Sequence, residues 1–273
     1  MFIHKINPII FSFQTTSYQN FELSWYWPTY VLGILLVYFF IKMLERNKNI
    51  LFYSSAERID FLLYSWVGLI ICARAFYVLF YDFKFYLKHP NLILQFWNGG
   101  MSFHGGALGV LISLLFLSWK YKRKFSFYSD VMVTIIPCAL ALGRLGNFLN
   151  SELVGRVSEG MWPWLVHFSY YDYNEMLYRH PSQLYQMLFE CLFLFVILWS
   201  LKKNIIVRPG LQTIIFLYWI SVCRFIIEFF READKEIGLL TFFTAGQILS
   251  IVVFMAAIIT HAIYLKKKSS LDS

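Results

Sequence analysis

Residues 129–156 read SDVMVTIIPCALALGRLGNFLNSELVGR, and this stretch decides both the fold class and the place of the candidate site. Its first part, Ser129 to Phe148, is an apolar run close to the 20 or so helical residues that cross about 30 Å of hydrocarbon. Its second part sets two arginines, two asparagines and a glutamate among three glycines. A charge near hydrocarbon costs at least about 2.5 to 3.5 kcal/mol on insertion scales, so Arg144 needs a partner or a use.

Composition places the whole chain in a membrane. Hydrophobic residues make up 59% of it and charged residues 15%, against about 25% charged residues in soluble domains. Because lipid cannot satisfy free backbone amides, each long apolar run must form a helix. We therefore predict an all-α polytopic membrane protein, a single integral membrane domain over residues 1–273. The seven predicted transmembrane helices are Trp25–Leu44, Phe61–Tyr81, His104–Trp119, Ser129–Phe148, Leu184–Leu201, Gly210–Phe230 and Phe243–Leu265.

Lysine and arginine residues set the predicted orientation. They concentrate in the connections after the first, third and fifth spans and in the carboxyl-terminal tail. Under the positive-inside rule, the amino terminus is then outside and the carboxyl terminus cytoplasmic. The net charge of +8 is interpreted as attraction to the inner leaflet, because the basic residues lie in short loops beside spans. No nucleic-acid partner is predicted.

The four cysteines lie singly within apolar runs. They lack the paired spacing of a zinc site or a redox motif. We therefore predict neither a metal site nor a cofactor.

A glycine-rich stretch, from Trp97 to Gly106, introduces the only histidine in such a setting, His104, at the outer mouth of the third span. Imidazole can exchange a proton near neutral pH, which favours an acid–base role. Two other interpretations stay open. Gly105 and Gly109 form a small-x-x-x-small pair suited to close helix packing, and a lone histidine is often only hydrogen-bonded.

Two helical stripes at the outer ends of spans carry the arginines. Arg144, Asn147 and Asn150 are spaced three apart, so on a continuing helix they share one face rich in hydrogen-bond donors. In the sixth span, Arg224, Glu228 and Arg231 can pair in the same way, and a structural ion ladder is the alternative.

Three further residues have ambiguous settings. Tyr26 begins the first span, where it belongs either to an interfacial aromatic belt or to a headgroup site. Arg74 lies about two thirds of the way across the second span, and snorkelling to the outer headgroups is its alternative explanation. Glu190 lies deeper in the fifth span and needs a partner, for which the sequence gives no unique candidate.

The polar residues of separate spans thus converge on one leaflet, with arginine in excess over acid. Guanidinium groups grip phosphate in a bidentate manner, so an anionic phospholipid is the favoured ligand. Residues 157–183, rich in tryptophan and tyrosine, are predicted to form an external arm between the fourth and fifth spans.

Four blocks resemble the bacterial prolipoprotein diacylglyceryl transferases, and the match covers nearly the whole chain with the blocks in the family's order. They are GRLGNFLNSELVGR at Gly143–Arg156, GGMSFHGG at Gly99–Gly106, HPSQLY at His180–Tyr185, and RFIIEFFR at Arg224–Arg231. The resemblance implies transfer of the diacylglyceryl group from phosphatidylglycerol to the lipobox cysteine of a prolipoprotein, with release of glycerol phosphate. It also implies a multi-pass protein of the bacterial inner membrane whose active site faces the periplasm.

The resemblance implies that His104, Arg144 and Arg224 are catalytic. Implied substrate-binding residues are Tyr26, Arg74, Asn147, Asn150, Glu152, Gly155, Arg156, Glu228 and Arg231. The chain departs from the family pattern at Ser151, Gln186 and Ile220, where the family usually has glycine, glutamate and tyrosine.

The mechanistic hypothesis is direct displacement at the glycerol carbon that bears the phosphate. His104 is expected to take the thiol proton, while Arg144 and Arg224 neutralise the departing phosphate. In the alternative, another group is the base and His104 is structural. Rival classes are a transporter or channel and an intramembrane protease or acyltransferase. Against the transporter or channel, this sequence shows no internal repeat of the kind many transporters have. Against the protease or acyltransferase, it has no His-Glu-x-x-His or Gly-x-Ser-x-Gly motif.

Overall fold

The structure is a computed structural model that describes residues 1–14, 20–48, 50, 52–95, 99–232 and 243–272. Trp97 and Asn98, which open the glycine-rich stretch before His104, lie outside the described residues. The long helices are α1 (Tyr26–Arg46), α2 (Ser55–Phe80), α4 (Phe103–Lys120), α5 (Phe125–Leu149), α9 (Leu211–Ile227) and α10 (Ala245–Asp272). The shorter helices are α3 (Phe83–Lys88), α6 (Ser182–Tyr185), α7 (Phe193–Ser200) and α8 (Asn204–Val207), with a 3₁₀ turn at Pro90–Leu92.

Among the described residues, six helical segments are long and apolar enough to cross a membrane, by length and composition. Five are α1, α2, α4, α5 and the span Ser182–Ser200, in which α6 and α7 are joined through a π-helical segment; the sixth is Ala245–Lys267 of α10. The predicted sixth span is also an apolar helix, α9, but it is shorter than these. The mostly helical, polytopic character is therefore confirmed. The count of seven spans and the orientation of the termini stay predictions.

In the part of the chain that the structure describes, four short strands accompany the helices, and the sequence prediction did not include them. Strand β1 (Phe2–His4) pairs in parallel with β4 (Val166–Phe168), and β2 (Ile9–Gln14) pairs antiparallel with β3 (Asn20–Ser24). Aromatic and β-branched residues, which favour strands, are frequent in β1, β2 and β4. All four strands lie outside the candidate spans.

Helix α5 is the centre of the bundle. It contacts α1, α4, α6, α7 and α9. The first half of α5 enters an apolar core with Ile41, Phe61, Leu117, Tyr128 and Ile135, all fully or almost fully buried. Its other end carries Arg144 and the residues after it, so the same helix joins the core to the candidate site.

Helices α2 and α4 approach closely at glycines. A Cβ atom at Gly109 would lie 2.0 Å from the Gly68 carbonyl oxygen, and one at Gly105 would lie 2.4 Å from the Cys72 carbonyl oxygen. The packing role expected for Gly105 and Gly109 is therefore confirmed. This contact fixes α4, and with it His104, against α2.

The two ends of the bundle differ in chemistry. At one end, ion pairs join Arg58 to Glu45 at 3.0 Å and Lys120 to Asp60 at 2.5 Å. We call the other end, where α1 begins and α5 ends, the site end. The amino-terminal strand β1 lies at the site end, since it pairs with β4 of the loop that follows α5.

Candidate functional site

The start of α1 and the end of α5 are joined by polar contacts at the site end. The Tyr26 hydroxyl donates a hydrogen bond to the Glu152 carboxylate and accepts one from the Asn147 amide. The Trp25 backbone N–H donates to Asn150 Oδ1 at 3.2 Å. Four of the residues predicted from the sequence, Tyr26, Asn147, Asn150 and Glu152, are therefore brought together.

Glu152 is held in an unusual turn. Ser151 and Leu153 on either side of it have φ angles of 56° and 52°, a left-handed conformation that costs a non-glycine residue roughly 1–2 kcal/mol. The Glu152 backbone N–H donates to the Asn147 carbonyl at 2.9 Å, and its own carbonyl accepts from Gln183 Nε2 at 2.6 Å. Backbone strain of this kind concentrates at functional sites.

The environment of Glu152 affects its protonation. Burial raises the pKa of this carboxyl, while the hydrogen bonds from Tyr26 and Asn147 act in the opposite direction, and the net shift is upward. Glu152 therefore holds its proton more readily than an exposed glutamate.

Arg144 of α5 and Arg224 of α9 meet at one carboxylate, that of Glu190. Arg144 Nη2 lies 4.0 Å from Glu190 Oε2, and Arg224 Nη1 lies 3.9 Å from Glu190 Oε1. These separations exceed a hydrogen bond, so Glu190 balances charge without occupying the guanidinium N–H groups in these pairs. Glu190 is almost fully buried, whereas the two arginine side chains keep 21% and 22% of their surface exposed.

Arg224 has a second acidic neighbour, Glu228, one helical turn further along the chain. Arg224 Nη2 lies 3.1 Å from Glu228 Oε2, and Arg231 Nη1 lies 3.8 Å from the same oxygen. The predicted Arg224–Glu228–Arg231 stripe thus forms. It also joins the Arg144 cluster through Glu190, so the ladder is part of a larger site.

The first turn of α10 closes around Glu228. A Cβ atom at Gly246 would lie 2.6 Å from the Glu228 carboxylate. Thr244 and Gln247 hydrogen-bond each other reciprocally, side chain to backbone, and so begin the helix with a capping box. Glu228 therefore lies against the start of α10, where a helix favours negative charge.

His104 lies in the first turn of α4. Ser102 caps this helix by accepting from the Gly105 backbone N–H at 3.4 Å. The His104 imidazole is exposed and lies within electrostatic range of the Arg224 guanidinium. The histidine is thus on a third helix, within electrostatic range of one arginine of the cluster.

The sequence profile of the prolipoprotein diacylglyceryl transferase family matches residues 13–263. The chain belongs to this transferase family. A Rickettsia canadensis protein named phosphatidylglycerol–prolipoprotein diacylglyceryl transferase is 40% identical over 255 residues, covering 92% of this chain and 94% of that protein. A Legionella pneumophila (strain Corby) protein of the same name is 37% identical over 260 residues, covering 93% of this chain and 95% of that protein.

Two of the implied binding residues of this transferase-family chain join the loop after α5 to neighbouring segments. The Gly155 backbone N–H donates to the His180 carbonyl at 3.0 Å, and a Cβ at Gly155 would lie 2.1 Å from that oxygen. Arg156 donates from its backbone to the Phe230 carbonyl and from Nε to the Arg231 carbonyl, both at 2.9 Å. Gly155 and Arg156 therefore fasten the arm to the end of α9.

Arg74 makes its hydrogen bonds to the loop before α4. Its guanidinium donates to the carbonyls of Ile93, Gly99, Gly100 and Leu92 at 2.7–3.0 Å and lies over the Tyr86 ring. The side chain is buried, so it organises the loop before α4 instead of reaching headgroups by snorkelling. Its role in substrate binding stays a prediction.

Sequence reasoning missed the role of Glu190. A buried carboxylate in an apolar span indicated that a partner was required, but the two partners come from helices distant in the chain.

Among the described residues, no group of three or more histidine, cysteine, aspartate or glutamate side chains could hold a metal ion.

Proposed function

We propose that this chain transfers the diacylglyceryl group of phosphatidylglycerol to the lipobox cysteine thiol of prolipoproteins, the first step of lipoprotein maturation. The product is a thioether and the leaving group is glycerol phosphate. The observation that carries the proposal is the meeting of Arg144 and Arg224 at Glu190. Membership of the transferase family supports the reaction class.

The charge of the cluster suits a lipid phosphodiester. Three guanidinium groups, those of Arg144, Arg224 and Arg231, face two carboxylates, those of Glu190 and Glu228. The cluster therefore keeps a net positive charge in surroundings of low dielectric constant, where an anion is attracted strongly. A phospholipid can reach it by lateral diffusion within the bilayer.

The chemical step is displacement at the glycerol carbon that bears the phosphate. The sulfur–carbon bond forms as the carbon–oxygen bond to phosphate breaks, and the electron pair leaves with glycerol phosphate. Arg144 and Arg224 stabilise the charge that develops on this leaving group. Their loose contact with Glu190 leaves donors for the phosphate oxygens.

The attacking thiol must lose its proton, since the thiolate is the nucleophile and a free cysteine has a pKa of about 8.5. His104 is the proposed general base because its imidazole is exposed and lies within electrostatic range of Arg224. The joined residues Tyr26, Asn147, Asn150 and Glu152 are proposed to hold the headgroup.

The proposed setting is the bacterial inner membrane, with the site end toward the periplasm. The basic connections predicted to be cytoplasmic include Arg58 and Lys120, whose ion pairs lie at the opposite end. Residues 157–183 then form a periplasmic arm between the fourth and fifth spans. The lipobox segment of the prolipoprotein is the proposed protein substrate.

Mass spectrometry of a lipobox peptide incubated with phosphatidylglycerol and the purified chain tests this function. The peptide is expected to gain the mass of one diacylglyceryl group on cysteine. Arg144→Ala should abolish the gain, while Arg46→Ala, at the opposite end of α1, should keep it. An unmodified peptide with the wild-type chain, alongside an active relative as control, would contradict the proposal.

A further inference from the structure

The span that carries Glu190 contains a π-helical segment, Gln186–Leu192, between α6 and α7. We call it the π-turn. At its end the Phe193 backbone N–H donates to the Leu188 carbonyl, five residues back. Such segments are rare within α-helices and are frequently found at functional sites.

The π-turn determines which side chains face inward. Gln186, Glu190 and Cys191 are 1%, 3% and 2% exposed, whereas Leu188 and Phe189 are 41% and 48% exposed. Each residue of an α-helix advances by about 100°, so a change of register within this segment turns its side chains relative to α6. The π register thus places Glu190 between Arg144 and Arg224.

A π register also leaves backbone carbonyls without their usual partners. Trp219 of α9 donates its indole N–H to the Phe189 carbonyl at 2.8 Å. Within hydrocarbon no water can replace that donor, and an unsatisfied carbonyl is costly. The indole therefore stabilises the π-turn from a neighbouring helix.

Trp219 and Arg224 lie five residues apart on the same helix, α9. One helix thus supplies both the donor that holds the π-turn and one of the two guanidinium groups that Glu190 faces. A change in the π-turn changes the charge arrangement around Arg224 without touching Arg224 itself.

We propose that Trp219 is a positioning residue: its hydrogen bond to the Phe189 carbonyl holds the π-turn and thereby aims Glu190 between Arg144 and Arg224. The effect on catalysis rests on the proposed function. The effect on the π-turn does not, and it can be measured separately.

The test uses full-length protein in phosphatidylglycerol vesicles and the variant Trp219→Phe, which keeps an aromatic ring but loses the donor. Trp66→Phe, at an exposed indole on α2, is the matched control. Hydrogen–deuterium exchange over residues 186–194 reports the π-turn directly. Exchange there should be faster in Trp219→Phe than in wild type and unchanged in Trp66→Phe; equal exchange in all three proteins overturns the proposal.

The catalytic arm of the test is a double-mutant cycle with Glu190→Gln. Trp219→Phe should lower the transfer rate about tenfold, as expected for one lost hydrogen bond that water does not replace. In the Glu190→Gln background the same substitution should cost less than about twofold, since no carboxylate remains to be aimed. An equal loss in both backgrounds would show a general structural role and overturn the proposal. If wild type transfers nothing while exchange still responds to Trp219→Phe, the proposed function fails and the inference about the π-turn stands.

Discussion

Gly246 lies directly against the carboxylate of Glu228, with a separation of 2.6 Å between that carboxylate and the position a Cβ would occupy. Glu228 in turn lies 3.1 Å from Arg224. Alanine at position 246 must therefore displace the buried carboxylate and, with it, the guanidinium group. A displacement of about 1 Å can cost on the order of 100-fold in rate, and we expect a loss of that size for Gly246→Ala.

Shortening the opposing side chain supplies the control for Gly246→Ala. The double variant Gly246→Ala with Glu228→Asp should transfer faster than Gly246→Ala alone, because aspartate leaves room for the methyl group. Transfer rates in phosphatidylglycerol vesicles check this. Two single losses that multiply in the double variant would contradict the steric explanation.

Tyr26 connects two residues of the site through one hydroxyl group. Tyr26→Phe removes the donor to Glu152 and the acceptor for Asn147, and the hydrogen bond to the Glu152 carboxylate alone contributes about 1.5–3 kcal/mol. We expect the transfer rate to fall about 10- to 100-fold. Tyr30→Phe, at an exposed ring stacked on Tyr26, should leave the rate within about twofold, and equal losses in the two variants would contradict this role of the hydroxyl.

Arg74 holds the loop before α4 through its hydrogen bonds to backbone carbonyls, and we expect its geometry to matter for the order of that loop. Arg74→Lys replaces a fork that makes four hydrogen bonds to carbonyls by a single ammonium group. We expect faster hydrogen exchange over residues 92–95 and 99–100 and a free energy of unfolding lower by about 3 kcal/mol. Arg46→Lys, at an exposed helix end, is the control. Normal exchange with lost transfer would instead indicate direct contact with substrate.

His4 gives the protein a predicted pH dependence. It is fully buried, its Nδ1 lies 3.2 Å from Ser151 Oγ, and burial lowers its pKa below the usual 6.5. The unfolded chain therefore binds a proton at higher pH than the folded chain, so stability falls as the pH drops below about 6.5. His180, whose pKa burial also lowers, adds to this slope.

The melting temperature of the purified protein between pH 7.5 and pH 5 measures that dependence. His4→Phe should reduce the loss of melting temperature on acidification, while His89→Phe, at an exposed position, should leave it unchanged. An identical slope in wild type and His4→Phe would remove His4 as the cause.

The long helices and the convergence of Tyr26, Arg144 and Arg224 could be predicted because apolar length and helical spacing are local properties of a sequence. The part played by Glu190 could not, since it depends on a π-turn and on two helices separated from it in the chain. The hydrogen bonds of Arg74 were missed for a similar reason. Its partners are backbone carbonyls, which any residue type supplies.

Ser151 illustrates how a departure from the family pattern is accommodated. The resemblance implies glycine there, which would suit the left-handed conformation found at this residue. Here a serine adopts that conformation and its hydroxyl contacts His4. The sequence shows the substitution at position 151, but the residue that its hydroxyl contacts, His4, is near the other end of the chain.

The central claim is that Arg144 and Arg224 act together on one phosphate. The most direct test measures transfer rates for Arg144→Lys, Arg224→Lys and the double variant, since lysine keeps the charge and loses the bidentate geometry. Residues that act as a unit show strongly non-additive losses, so we predict that the double variant lies within about threefold of the slower single variant. Losses that multiply, or either single variant at the wild-type rate, would contradict the account.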